Sequence, residues 1–382
     1  MDYITIKDGF SFLKKSKIKA SEGKTSGLYP FYTSSNILSK YLDEYEIENE
    51  ALIFGTGGNA SIHYSKGLFS TSTDCFVIQS NNKYEIVLKY VYYFLSGNIY
   101  ILENGFKGAG LKHISKKYLE NIKIPLPPLQ TQEKIVKVLD KAQELIDLRK
   151  KQIELLDELM ISLLINDVGP KAEKYDEWEK VQIKDLALKK KSSIRTGPFG
   201  SDLLHSEFVS EGIYVLGIDN VVTNRFKWGK ERYITEEKFE KLKRYRVYPD
   251  DVLISIMGTT GRSAVVPQNI PLAINSKHLA CITPNKDLVN PYFLSLSIHS
   301  NPMILMQIEL RNKGAIMNGL NLTIIKELNI KLPPIKLQNE FAYKIQKIEE
   351  QKELIQKSLF EMENNFNSLM QKAFKGDLFR GD

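Results

Sequence analysis

Two stretches of the chain place apolar residues at alternating steps of four and three. The first runs through Ile135, Leu139, Ala142, Ile146, Ile153, Leu156, Met160 and Leu163, with Arg149 as its polar break. The second runs through Phe341, Ile345, Ile348, Ile355, Leu359, Met362, Phe366 and Leu369, and breaks at Lys352. This is heptad spacing, which predicts two long helices joined along an apolar seam. Val138, Leu145 and Leu159 widen the first stripe beyond two positions in seven. No proline or glycine interrupts the chain between Pro128 and Gly169, or between Pro334 and Gly376. A helix of about 36 residues is roughly 54 Å long, and so long a stripe needs a partner of equal length. The expectation is an antiparallel coiled coil between the two, ahead of two amphipathic helices each packed on its own domain.

The remaining sequence has a different texture. Short β-branched and aromatic runs such as "DVLISIM" (251–257) and "CFVIQ" (75–79) are cut at close intervals by Gly, Asn and Pro, which predicts strands. Helical patterns fall at 85–96 and 291–309. "NDVGPKAEKYDE" (166–177) has linker composition. The fold class that follows is α+β, with two globular domains separated by the long helices. The expected boundaries are 1–129 for the first domain, 130–166 for the first helix, 167–175 for a linker, 176–334 for the second domain, and 335–382 for the second helix and tail.

The two halves are copies. "LPPLQTQE" (126–133) returns as "LPPIKLQN" (332–339), an offset of 206 that also carries Lys107-Gly108-Ala109 onto Lys313-Gly314-Ala315 and the whole first seam onto the second. "GTGG" (55–58) meets "GTTG" (258–261) at an offset of 203, and "ITIKD" (4–8) meets "VQIKD" (181–185) at 177, so the second half holds about 26 extra residues ahead of its glycine loop. An ordered series of this kind marks a tandem duplication. The double proline explains itself in part: it forces an extended approach and then lets a helix start cleanly.

Composition removes several classes of function. No apolar run nears the roughly 18 residues that cross a bilayer, and "MDYITIKDGF" lacks a signal peptide's pattern, so a cytoplasmic, non-membrane protein is expected. Cys75 and Cys281 stand apart without zinc-type spacing and read as small buried hydrophobes. There is no GxxxxGK[ST] phosphate loop and no GxGxxG fingerprint opening a βαβ unit. "GTGG" reads as a turn in which glycine supplies positive φ. The five histidines are scattered without ligand spacing, and Ser72-Thr73-Asp74 reads as a turn bonding its own backbone. No catalytic residue, metal site or cofactor is assigned to this chain.

Charge points to an anionic partner. The net charge is +7, and between Arg225 and Arg246 nine Lys and Arg residues face four Glu, with Phe226, Trp228, Tyr233, Phe239 and Tyr245 interleaved. Cations there would hold phosphates while the aromatics pack the scaffold, and a solvated basic face is the competing reading. The first half has basic clusters at Lys14–Lys24 and Lys107–Lys117.

"IKIPLPPLQTQEKIVKVLD" (122–140), "NIKLPPIKLQNEF" (329–341), "GPFGSDLL" (197–204), "YRVYPDDVLISIMGTTG" (245–261) and "QKAFKGDLF" (371–379) together resemble the specificity subunits of type I DNA restriction-modification systems, across essentially all 382 residues. The chain departs from the family at Thr131 and Leu337, where an acidic residue usually precedes the glutamine. The resemblance implies two target-recognition domains, each reading one half of a bipartite, asymmetric double-stranded DNA target, with the helical pair as a ruler between them. It implies two methyltransferase subunits carrying S-adenosylmethionine, and restriction subunits supplying ATP- and Mg-dependent translocation and cleavage. Candidate DNA contacts are Lys24, Asn59, Lys107 and Lys112 in the first domain, and Arg195, Thr196, Arg225, Lys227 and Arg262 in the second. Arg262, which follows the glycine loop, is a candidate for a bidentate pair to guanine, with a surface ion pair as the equal competing reading. Two alternatives stay open: the specificity subunit of a methyltransferase-only or type IIB-like system, and a two-armed coiled-coil adaptor. A DNA-modifying enzyme in its own right would need a motif that the sequence lacks.

Overall fold

The computed structural model describes residues 2–312 and 319–378, so Lys313-Gly314-Ala315 and Phe379 lie outside the described residues. The chain divides into two compact units, Met1–Lys151 with Gln356–Asp382, and Gln152–Ile355.

The first unit begins with β1 (Asp2–Thr5), α1 (Ile6–Gly9), β2 (Phe10–Phe12), β3 (Tyr29–Tyr32), β4 (Tyr41–Leu42), β5 (Ala51–Gly55), β6 (Ile62–Ser65), β7 (Ser70–Thr71) and β8 (Cys75–Ser80). It continues through α2 (Leu88–Gly97), α3 (Tyr100–Glu103), β9 (Phe106–Lys107), β10 (His113–Ile114), α4 (Lys116–Glu120) and β11 (Lys123–Leu126) into the long helix α5 (Leu129–Asp167). A four-stranded sheet has the order β2-β8-β5-β6 and a three-stranded one β4-β3-β7. Strand β5, "ALIFG", is buried along its whole length, as its unbroken apolar run requires for a central strand.

The second unit repeats this plan with β12 (Glu179–Gln182), β13 (Ile194–Thr196), β14 (Ile213–Leu216), β15 (Tyr233–Ile234), α6 (Glu236–Leu242), β16 (Val252–Ser255), β17 (Ser263–Val265), β18 (Ala273–Asn275) and β19 (Leu279–Ile282). Then follow α7 (Pro291–Ser300), α8 (Pro302–Asn312), α9 (Leu322–Glu327), β20 (Asn329–Leu332) and the long helix α10 (Ile335–Lys375). Its sheets are β13-β19-β16-β17 and β15-β14-β18. In both three-stranded sheets the middle strand has one antiparallel and one parallel neighbour. The repeat extends to register: Asp2 pairs with Leu126 in one unit and Glu179 with Leu332 in the other, the same two offsets that the sequence shows. Within the extra segment of the second half lies α6, started by the Thr235 hydroxyl, which accepts from the Lys238 N–H. The pattern over 291–309 falls as two helices, because Pro302 has no N–H to continue α7 and Asn301 restarts the chain by accepting from Met303 N–H at 3.0 Å.

The repeated proline motif has a second element that composition does not mark. Gln132, fully buried in the first turn of α5, accepts from the Val87 N–H at 3.0 Å and donates to the carbonyls of Glu85 (3.0 Å) and Pro127 (2.9 Å). Gln338, fully buried at the start of α10, accepts from the Asn290 N–H at 2.9 Å and donates to the carbonyls of Leu288 (3.1 Å) and Pro333 (2.7 Å). Val87 and Asn290 are the residues that precede α2 and α7, so each glutamine ties a long helix to the helix that its own domain packs against it.

The seam is covered as the heptads predict, in two different ways. Ile135 and Leu139 belong to the apolar core of the first domain, with Leu88 and Tyr90. Phe341 and Ile345 belong likewise to the core around Phe293. The start of each long helix is therefore packed on its own domain, the reading placed second above. Farther along, the helices face each other: in the first unit Ile146 is buried, Leu359, Met362 and Phe366 are half-buried, and Lys150 pairs with Glu363 at 2.9 Å. In the second unit Ile348 is buried and Ile153, Leu156, Met160 and Ile355 half-buried, while Asp157 pairs with Lys352 and Asp167 with Lys344. One index rises as the other falls, which is antiparallel pairing. Leu145 and Leu159 are 45% and 44% exposed and do not widen the seam. A two-stranded coil covers only its a and d positions.

Candidate nucleic-acid interface

In each unit a glycine turn leaves the central strand of the four-stranded sheet. After β5 the turn needs Gly58 at φ +82°, and after β16 it needs Gly258 at +73° and Gly261 at +82°. Around the first turn, Gly57 bridges to His113, the Gly58 N–H donates to the Lys112 carbonyl at 3.3 Å, and Lys107 pairs with His113 across the β9–β10 hairpin. Exposed Asn59, Lys107 and Lys112 are thereby gathered in one place. Lys24 is not among them: it lies against Tyr41 and is bound to Asp43 at 2.6 Å, and that carboxylate raises its pKa.

Around the second turn, Ser255 fixes the loop by accepting from the Arg262 N–H at 3.0 Å, and leaves the exposed Arg262 side chain without an ion pair among the described residues. Thr196 occupies the same end of the sheet, since it pairs with Ala280 and Ala280 with Ile254. Asn224, at φ +58°, accepts from the Ser263 N–H at 3.4 Å and so brings the 223–227 loop beside Arg262. Exposed Lys227 makes no ion pair among the described residues, whereas Arg225 is held by Glu353 of α10 at 2.8 Å. Burial, and to a lesser extent the Arg262 charge, pushes the His299 imidazole down to about 4.

Arg195 has a different place. Its side chain is 7% exposed, and it donates to Asp251 at 2.7 Å, to Thr283 at 3.0 Å, and to the carbonyls of Ser192 (3.1 Å) and Arg246. Burial would lower its pKa, but Cys281 and Asp251 beside it more than offset that, and the guanidinium is held above its ordinary value. Asp251 also accepts from the Tyr248 N–H and, at 3.1 Å, from the Cys281 thiol. Cys281 is buried as expected but faces a carboxylate, and burial with that charge pushes its pKa well up. These groups form a polar core under the sheet, so Arg195 is a structural residue and offers no free face to DNA.

Besides Arg225, five of the nine cations in the basic run at 225–246 are paired with carboxylates, two of them inside the run and three outside it. Arg232 pairs with Asp219, Lys238 with Glu207, Lys241 with Glu237, Lys243 with Glu240 and Arg244 with Asp202. Its aromatics divide: Phe239 and Tyr245 are buried, while Trp228 is 53% exposed, edge-on to Tyr214 and Phe226. Among the described residues no cluster of three or more His, Cys, Asp or Glu side chains could hold a metal ion, and no helix is long and apolar enough to cross a membrane.

The architecture defines a class: a duplicated α+β domain, each copy leading into one arm of an antiparallel helical pair. The family model for the type I restriction modification DNA specificity domain matches residues 1–158 and 175–364. The chain belongs to that family of specificity subunits. The type I restriction enzyme EcoBI specificity subunit of Escherichia coli is 23% identical over 91% of this chain and 77% of its own length. The MjaVIII specificity subunit of Methanocaldococcus jannaschii is 29% identical over 64% of this chain, and the matched region spans 60% of that relative's length. The crystal structure of a type I restriction-modification S subunit from M. genitalium shares the fold, with a TM-score of 0.62, 16% identity and coverage of 98% of this chain and 96% of that one. Specificity subunits are non-catalytic, and the family fits a protein that is not itself an enzyme.

Proposed function

We propose that this chain is the DNA-reading subunit of a methyltransferase complex, in which each globular domain recognises one half of a split, asymmetric DNA target and the paired long helices fix the gap. The observation that carries this reading is the duplication, kept down to strand register and to the paired glutamines. Two equivalent arms with divergent surfaces suit two half-sites of different sequence, as dimers suit palindromes. The contact surface is the glycine-turn end of each four-stranded sheet, with Asn59, Lys107 and Lys112 in one domain and Thr196, Lys227 and Arg262 in the other. Phosphate contacts would position the duplex and base-edge contacts would specify it. Two adenine-N6 methyltransferase subunits dock on the helical pair and bring S-adenosylmethionine. Restriction subunits, with ATP and Mg, add cleavage. The setting is the cytoplasm.

Single-molecule sequencing for N6-methyladenine in the native host, with and without the gene, tests this reading. Deletion should erase one split motif from the methylome. An unchanged methylome, with the companion methyltransferase expressed, would leave the adaptor reading in its place.

The ruler makes a second prediction. Four residues inserted at matched positions of both long helices lengthen each by roughly 6 Å. At about 3.4 Å per base pair, the gap should grow by one or two positions with both half-site words intact. An unchanged gap, determined by the same sequencing, would rule out the ruler.

A further inference from the structure

We infer that Gln132 and Gln338 are positioning residues: each fixes the direction in which its long helix leaves its recognition domain, and thereby the number of base pairs between the half-sites. The inference rests on the function proposed above and deepens it.

Each glutamine uses both amide N–H groups and its carbonyl oxygen on backbone partners, and each is fully buried. The three partners are spread over two segments, the first proline of the pair that precedes the long helix and the turn before α2 or α7. A side chain bonded to both segments at once permits little tilt of one against the other. Because only backbone atoms are read, neighbouring side chains are free to differ, and they do: Glu85 and Val87 stand where the second domain has Leu288 and Asn290. The same three-bond pattern nevertheless occurs in both copies, each within its own unit. Apolar packing of Ile135 and Phe341 is strong but non-directional, so the glutamines supply the angular constraint. Leverage makes that constraint matter for the gap. Twenty helical residues span about 30 Å, so a tilt of about 7° moves the far end by roughly one base-pair step.

The test uses Q132M and Q338M, which keep side-chain length and bulk but remove the hydrogen bonds, in cells carrying the companion methyltransferase. N6-methyladenine sequencing reads both half-site words and the spacing between them. The words should be unchanged, while methylation at targets one base pair longer or shorter rises about tenfold over wild type, the equivalent of about 1.4 kcal/mol. The purified complexes should show the same loosening in Kd ratios for duplexes of altered gap. Q132N and Q338N, whose amides fall one methylene short, provide a second pair should a methionine variant accumulate poorly. A gap as strict as wild type in folded variants, with only a lowered Tm, would overturn the inference and leave the glutamines as purely stabilising groups. A wild-type methylome without any split motif would instead defeat the function on which the inference rests.

Discussion

Asp251→Ala is expected to destabilise the second unit by about 3–5 kcal/mol, because it strands a guanidinium in the protein interior. Arg195 and Asp251 are 7% and 0% exposed at their side chains. Without the carboxylate, Arg195 keeps only carbonyl and hydroxyl partners, and the Tyr248 N–H and the Cys281 thiol lose their acceptor. The double variant Arg195→Met with Asp251→Leu removes both charges together and should recover much of the loss, since apolar replacements of buried ion pairs are often nearly neutral. Denaturant unfolding followed by tryptophan fluorescence measures this directly: both tryptophans, Trp178 and Trp228, lie in Gln152–Ile355. A loss below about 1 kcal/mol, the scale of exposed pairs, would mean that the pair is not the buried support described here.

Phe341→Ala should cost about 3–5 kcal/mol by the same measurement. The ring is 1% exposed and meets Phe293 edge-on at a centroid distance of 6.5 Å, in the core where α10 starts. Tyr343→Ala, two residues along the same helix and 63% exposed, should stay within about 0.5 kcal/mol. Equal losses at the two positions would contradict the placement of the buried face of α10.

Period and repetition made the long helices, the seam and the duplication legible, because both are properties of residue spacing. Leu145 and Leu159 misled, since a stripe drawn on one helix does not say how much of it a single partner covers. In the basic run, Lys241 with Glu237 and Lys243 with Glu240 lie within one helical turn and were readable as pairs. Arg225 with Glu353 is 128 residues apart, and Arg195 with Asp251 is 56 apart. Those pairings depend on the tertiary fold, and without them both arginines looked like available cations. The glutamines did leave a signal, the same letter five residues past the first proline in both copies. No rule of composition distinguishes such a glutamine from a solvated one. Burial does.

The division of the chain also bears on how the protein is made. Phe366, Leu369, Met370 and Phe374 pack into the apolar core that holds Tyr90, Leu95 and Ile124, with Phe374 at 5.5 Å from Tyr90, yet they are translated after the whole of Gln152–Ile355. At 5–20 residues per second, those roughly 200 intervening residues occupy the ribosome for about 10–40 s. The domain synthesised first is thus the last whose core can close. Through that interval its Tyr90 and Phe94 face lacks the helix that covers it, which makes it the natural surface for a chaperone to guard during translation.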